Sequence, residues 1–123
     1  MKRIYVDLKR QVLQAYENNK LVYEFNCASG AVGTPTTPGK YKVTKRIEKY
    51  RSEKYHSNMP YSLFYSDLLG EAIHASHFVG ITSVIKYLGF NRFGSKGCVR
   101  LSLEDAKKLY FWTPVGTPVE ISK

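Results

Sequence analysis

The sequence predicts a mainly β protein with one short helix, and three observations carry that prediction. The first thirty residues alternate apolar and polar side chains in short runs broken by turn-forming residues. Only one later stretch repeats its apolar residues at helical spacing. Proline and glycine punctuate the remainder, with no internal repeat or low-complexity tract.

In chain order, Ile4, Val6 and Leu8 alternate with Tyr5 and Asp7, the period-two pattern of a half-buried strand. Lys9-Arg10-Gln11 breaks that strand before Val12 to Tyr16. Asn18-Asn19 supplies a pair able to adopt positive φ, and Leu21 to Cys27 is again strand-like, so two successive hairpins are expected. Ser29 to Gly33 ends the meander. Pro38-Gly39 suits a type II turn ahead of a strand at Tyr41-Lys42-Val43. From Lys40 to Tyr61 the chain is basic and rich in tyrosine. It reads as a solvated strand and a long loop whose tyrosines cover the core edge. Ser102 is a good N-cap with Asp105 three residues on, and Leu103, Ala106, Leu109 and Tyr110 recur at helical spacing to about Trp112. Thr113-Pro114 stops the helix, and Gly116 to Ile121 offers a turn and a last strand.

The 123 residues suffice for one compact core and are too few for two ordinary domains, so residues 1–123 are taken as a single domain; a monomer is expected, though length does not fix the oligomeric state. No apolar run approaches the roughly 18 residues of a membrane span. Met1 to Asp7 has a basic pair without an apolar core, so it does not read as a signal peptide. The chain either stays inside the cell or derives from a longer exported protein. The net charge of +9 favours polyanions without choosing among nucleic acid, anionic lipid and an acidic wall polymer. Recognised nucleic-acid-binding motifs are absent, so no nucleic acid is expected as partner.

Chemistry concentrates in Gly94-Ser95-Lys96-Gly97-Cys98-Val99-Arg100. Cations two positions either side of Cys98 are expected to lower its pKa and raise its thiolate fraction. Gly97 permits close approach of a substrate carbonyl and leaves amides for an oxyanion. Such a thiol needs a base, and His56, His74 and His77 are the candidates. Taken alone the segment is weak, because a lone cysteine is more often a small buried hydrophobe. A zinc site built from His74, His77 and Cys98 lacks a fourth ligand and a common spacing.

The order of segments adds a resemblance. Ile4 to Phe25, then Thr37-Pro38-Gly39-Lys40-Tyr41-Lys42-Val43, then Met59-Pro60-Tyr61-Ser62-Leu63-Phe64 and Ile73-His74 follow one family's succession. The same succession continues with Ser95-Lys96-Gly97-Cys98-Val99-Arg100-Leu101, and with Asp105-Ala106, Leu109-Tyr110, Gly116-Thr117, Val119 and Ile121. Over nearly its whole length the chain resembles the L,D-transpeptidase catalytic domain, often called YkuD-like, and the cysteine signature is the most specific part.

The resemblance implies a compact β-sandwich-like fold with a short helix after the cysteine loop. It implies Cys98 as nucleophile, His74 as general base and later acid, and Gly97 and Cys98 as oxyanion amides. Ser95 and Lys96 would order and charge the loop. Arg100 would take a substrate carboxylate or brace its own loop, with His77 and Tyr61 also placed at the substrate. His77 is the competing base if the loop is shifted. The implied substrate is the peptide stem of peptidoglycan, cross-linked 3→3 or joined to a protein in wall biogenesis and cell shaping, in the periplasm or cell envelope. Water as acceptor would make the chain an L,D-carboxypeptidase, and a weakened site would leave a peptidoglycan-binding module. Neither metal nor organic cofactor is implied. The chain departs from the family at Lys96, where most members carry histidine, and at Ala75, where glycine or serine is common.

Overall fold

The computed structural model describes residues 1–30, 35–52, 57–76 and 97–123. Its strands are β1 (Lys2–Asp7), β2 (Val12–Glu17), β3 (Lys20–Asn26), β4 (Gly39–Lys42), β5 (Lys45–Ser52), β6 (Ser57–Ser66), β7 (Glu71–Ala75), β8 (Val99–Leu101) and β9 (Pro118–Ser122), with helix α1 (Leu103–Trp112) between the last two. They form two sheets, ordered β3-β2-β1-β9-β4 and β5-β6-β7-β8.

The first sheet is built as the alternation requires. β1, β2 and β3 form an antiparallel meander, and Asn18 and Asn19 turn the second hairpin at φ 52 and 67. Positive φ at both central residues matches the twist of the flanking strands. β9 pairs parallel to β1 and antiparallel to β4. Gly39 opens β4 at φ 154 instead of closing a type II turn. A Cβ there would lie 3.0 Å from the Tyr41 hydroxyl oxygen, which reaches back and donates its hydrogen to the Thr37 carbonyl at 2.9 Å.

One face of each sheet meets a shared core. Ile4, Val6, Leu13, Ala15, Val119 and Ile121 come from the first sheet, and Leu63, Tyr65, Ile73, Val99 and Leu101 from the second. Ala106, Leu109 and Tyr110 are the buried residues of α1. Leu103, counted among the periodic apolar residues, is exposed.

The expected long loop before Tyr61 is instead the β5–β6 hairpin, in antiparallel register from Lys45↔Phe64 to Ser52↔Ser57. Two features hid it. Pro60 lies inside β6, but β7 pairs only with residues 63–66, so the missing N–H of Pro60 disturbs no second ladder. Tyr61 takes φ 55, rare for a bulky residue. There the alternation changes parity: Tyr61, Leu63 and Tyr65 join the main core, whereas Met59 joins a second cluster with Phe64 on the other face. Tyr50 and Tyr61 of this stretch are engaged in packing. Tyr50 meets Phe64 edge-on at 5.0 Å, Tyr61 meets Tyr110 at 5.5 Å, and the Arg46 guanidinium lies 4.4 Å over the Tyr110 ring.

Helix α1 begins as read, with the Ser102 hydroxyl accepting from the Asp105 amide at 3.2 Å. Its last turn carries no basic residue, yet two of its terminal carbonyls are satisfied by cations from other elements. Arg46 Nη2 donates to the Tyr110 carbonyl at 2.9 Å, and Lys2 Nζ to the Trp112 carbonyl at 2.6 Å. Lys2 also lies 4.7 Å over the Trp112 ring. Lys2→Met should therefore lower the urea midpoint by an amount equivalent to about 1 kcal/mol without changing the transition slope. An unchanged midpoint would show that water replaces the lysine at no cost.

Candidate active site

The second sheet presents its other face through β7 and β8. Their parallel register pairs Ile73 with Val99 and His74 with Arg100. Because side chains alternate along a strand, Ile73, Val99 and Leu101 enter the core while His74 and Arg100 share the opposite face. Cys98, just ahead of β8, lies on that face in a cluster with Met59, Phe64 and Ala72, against which Ile47 and Tyr50 pack. The topology thus brings Cys98, His74 and Arg100 together from segments far apart in the chain.

His74 is 7% exposed, and its Nδ1 lies 2.7 Å from the Ala75 carbonyl oxygen. A carbonyl only accepts, so Nδ1 carries the hydrogen, and in the neutral ring the lone pair belongs to Nε2. Burial lowers the His74 pKa to about 4, against the Ala75 hydrogen bond that raises it and with Arg100 adding to the fall. The ring is therefore neutral near pH 7 and available as a proton acceptor.

The expectation that neighbouring cations depress the Cys98 pKa is corrected. The thiol is 5% exposed, and loss of thiolate hydration raises its pKa above the ordinary value. The Ala72 backbone hydrogen bond opposes that rise, the Glu71 carboxylate adds to it, and Arg100 opposes it more weakly. Burial thus favours the neutral form of both side chains, the Cys98 thiol and the His74 imidazole.

Neither cysteine is in a disulfide. Cys27 is fully buried in the main core, whereas Cys98 sits in the smaller cluster at the other face of the sheet. Iodoacetamide should therefore label Cys98 faster than Cys27 in the folded protein. Labelling of Cys98 should be slow at neutral pH and accelerate as the pH rises toward its elevated pKa. Peptide mapping of the alkylated sites over a pH series checks this, and equal, pH-independent labelling would contradict it.

Gly97 takes φ 107, a conformation that favours glycine, and a Cβ there would lie 3.4 Å from Glu71 Cγ. Arg100 is half-buried; its backbone exchanges hydrogen bonds with Ala28 at 2.9 and 3.0 Å, while its Nε is buried without a partner. A guanidinium so placed beside Cys98 suits an incoming anionic group. The Tyr61 ring packs on Tyr110 and Phe111 of α1. Ser95, Lys96, His77 and His56 lie outside the described residues. Among the described residues no group of three His, Cys, Asp or Glu side chains is placed to hold a metal ion, and no helix is long and apolar enough to cross a membrane.

The site also contains residues that sequence reasoning missed. Glu71, 6% exposed, accepts from the Tyr65 hydroxyl at 2.6 Å, the Thr37 hydroxyl at 2.8 Å and the Thr37 amide at 3.2 Å. Thr36 donates its hydroxyl hydrogen to the Gly97 carbonyl at 2.7 Å and accepts from the Gly30 amide at 2.8 Å. The signal for Glu71 was a lone acid beside the apolar run Ala72-Ile73; Thr36 carried none beyond its place in a proline-rich turn.

Residues 1–121 match the family model of the YkuD L,D-transpeptidase catalytic domain, and the chain belongs to that family. A comparison with curated proteins finds no match. Among solved structures, the chain is similar to an L,D-transpeptidase from Stackebrandtia nassauensis at 29% identity and TM-score 0.84, covering 99% of this chain and 55% of that one. It is similar to residues of an L,D-transpeptidase from Xylanimonas cellulosilytica at 25% identity and TM-score 0.79, covering 98% and 60%. A mutant L,D-transpeptidase from Enterococcus faecium, 24% identical with TM-score 0.80 and 98% and 49% covered, shares the fold. The chain thus spans about half the length of the L,D-transpeptidase structures it matches.

Proposed function

We propose that this domain is a cysteine acyltransferase acting on the tetrapeptide stems of peptidoglycan. The observation that carries the reading is that Cys98 and a buried, neutral His74, its Nδ1 turned to the Ala75 carbonyl, share one sheet face in a chain of this family.

In the first stage the Cys98 sulfur attacks the carbonyl carbon of the third, diamino-acid residue while His74 Nε2 accepts the thiol proton. The oxyanion is held by the amides at Gly97 and Cys98. Collapse breaks the amide bond, His74 returns the proton to the departing D-alanine nitrogen, and a thioester remains on Cys98. In the second stage an amine of a neighbouring stem attacks the thioester and loses a proton to His74; the C–S bond breaks and His74 passes that proton to the Cys98 sulfur, restoring the thiol. The product is a 3→3 cross-link, or a wall attachment if the amine belongs to a protein. Arg100, with its unpartnered Nε, suits a carboxylate of the incoming stem. Residues 1–123 serve as the catalytic unit, working as a monomer at the cell envelope without metal or organic cofactor.

Incubation with purified disaccharide-tetrapeptides, followed by mass spectrometry, tests the reading. Loss of terminal D-alanine together with 3→3 dimers supports it. Loss of D-alanine with tripeptides alone would assign water as the acceptor, making the domain an L,D-carboxypeptidase. Binding with no covalent change would leave a peptidoglycan-binding module.

A further inference from the structure

The segment 35–38 does more than lead into β4. Thr36 is 3% exposed, and its hydroxyl has one hydrogen, which goes to the Gly97 carbonyl at 2.7 Å; its oxygen accepts from Gly30 at 2.8 Å. The Gly97 carbonyl and the Cys98 amide belong to one trans peptide plane and point in opposite directions. Fixing the carbonyl toward Thr36 therefore fixes the Cys98 N–H away from it.

Both ends of this contact are anchored. Thr37, next in the chain, is clamped by two hydrogen bonds to Glu71, which Tyr65 also holds. Gly30 follows Ser29, whose amide and hydroxyl both bond the buried Gln11 side chain, at 3.0 and 2.8 Å. Gly97 itself takes φ 107, a conformation that glycine adopts readily, so the backbone reaches this orientation without strain.

From these contacts we infer that Thr36 is a positioning residue, whose hydroxyl orients the Gly97–Cys98 peptide so that the Cys98 amide meets the developing oxyanion. The inference rests on the acyl-transfer reading. It separates the thiol's reactivity from the stabilisation of the tetrahedral intermediate, since alkylation by iodoacetamide forms no oxyanion and acyl transfer does.

The test compares wild type, Thr36→Val, Thr36→Ser and Thr37→Val in two assays: release of D-alanine from a tetrapeptide stem, and iodoacetamide labelling of Cys98. Thr36→Val keeps the shape and removes the hydroxyl, so kcat should fall by about 10- to 100-fold with KM little changed. Thr36→Ser keeps the hydroxyl and should retain most of the rate. Thr37→Val loosens the clamp without touching the Thr36 hydroxyl, and should lower kcat by a smaller factor; it remains informative if Thr36→Val does not fold. Labelling of Cys98 should match wild type in every folded variant. Equal kcat in wild type, Thr36→Val and Thr37→Val would overturn the inference, as would labelling that falls in step with kcat. Retention of activity by valine with its loss in serine would show that packing alone matters. Wild-type protein that labels at Cys98 but never releases D-alanine would overturn the proposed function, and this inference with it.

Discussion

Cys98→Ala should abolish release of D-alanine from tetrapeptide stems, lowering the rate by about four orders of magnitude or more, because no other group can form the thioester. Alanine fills most of the thiol's volume in a cluster of Met59, Phe64 and Ala72, so the fold should survive. Cys98→Ser sharpens the test. The hydroxyl is nearly isosteric, but its proton is far harder to remove, and a base as weak as the buried His74 helps it less than it helps a thiol. Serine should therefore be almost as inactive as alanine while leaving the thermal midpoint close to wild type. Cys27→Ala, in the main core, should instead cost stability and leave the folded protein's turnover intact. A carbapenem, acting as an acyl donor through its strained β-lactam, should add its mass to wild type and to Cys27→Ala but to neither Cys98 variant. Comparable turnover in Cys98→Ala would remove the nucleophile from the account.

The second large effect is expected at His74. His74→Ala should cut acyl transfer by about 100-fold or more, the usual scale for a general base. The pH dependence follows from the two pKa directions. The free protein is competent while His74 is neutral and Cys98 protonated, so kcat/KM should stay flat across neutral pH. It should fall on the acid side near pH 4, well below the ordinary histidine range, and on the alkaline side above the usual cysteine range. Stability should follow the same group. The folded-state pKa of His74 lies below its unfolded value of 6.5, so nothing is lost above that pH. As the pH drops from about 6.5 toward 4 the unfolded chain takes up a proton that the folded protein refuses, and stability declines. His74→Gln should flatten that part of the stability profile. An acid limb at pH 6–7 that persists in His74→Gln would point to another base, with His77 the next candidate.

Much of the fold was legible because its signals are local. The period-two runs at Ile4 to Val6 and Leu13 to Ala15, the Asn18-Asn19 turn, and the Ser102 cap with Ala106, Leu109 and Tyr110 each depend on neighbours in sequence. The hairpin of β5 and β6 was not legible, because Pro60 looks like a breaker and the positive φ of Tyr61 shifts the alternation midway. β7 is buried along its whole length, from Glu71 to Ala75, and so shows no alternation to read.

The site divides similarly. Cys98, His74 and Arg100 were named from residue type and resemblance, and β7 and β8 place them on one face. The sign of the Cys98 pKa was not legible, because it depends on burial rather than on the charges beside it in sequence. Nor was the contact of Thr36 with Gly97, which joins residues 61 positions apart. Nor were the positive φ of Tyr61 and the packing of its ring on the helix, which depend on tertiary contacts.

The most direct measurement is to trap the thioester itself. Brief incubation with a tetrapeptide stem and no amine acceptor, acid quenching, and proteolysis under acidic conditions would preserve it for peptide mass spectrometry. The account predicts a mass increase on the peptide carrying Cys98 equal to the stem acyl group without its terminal D-alanine, absent in Cys98→Ala. Stoichiometric release of D-alanine with the acyl group on another residue, or on none in the pre-steady state, would contradict it.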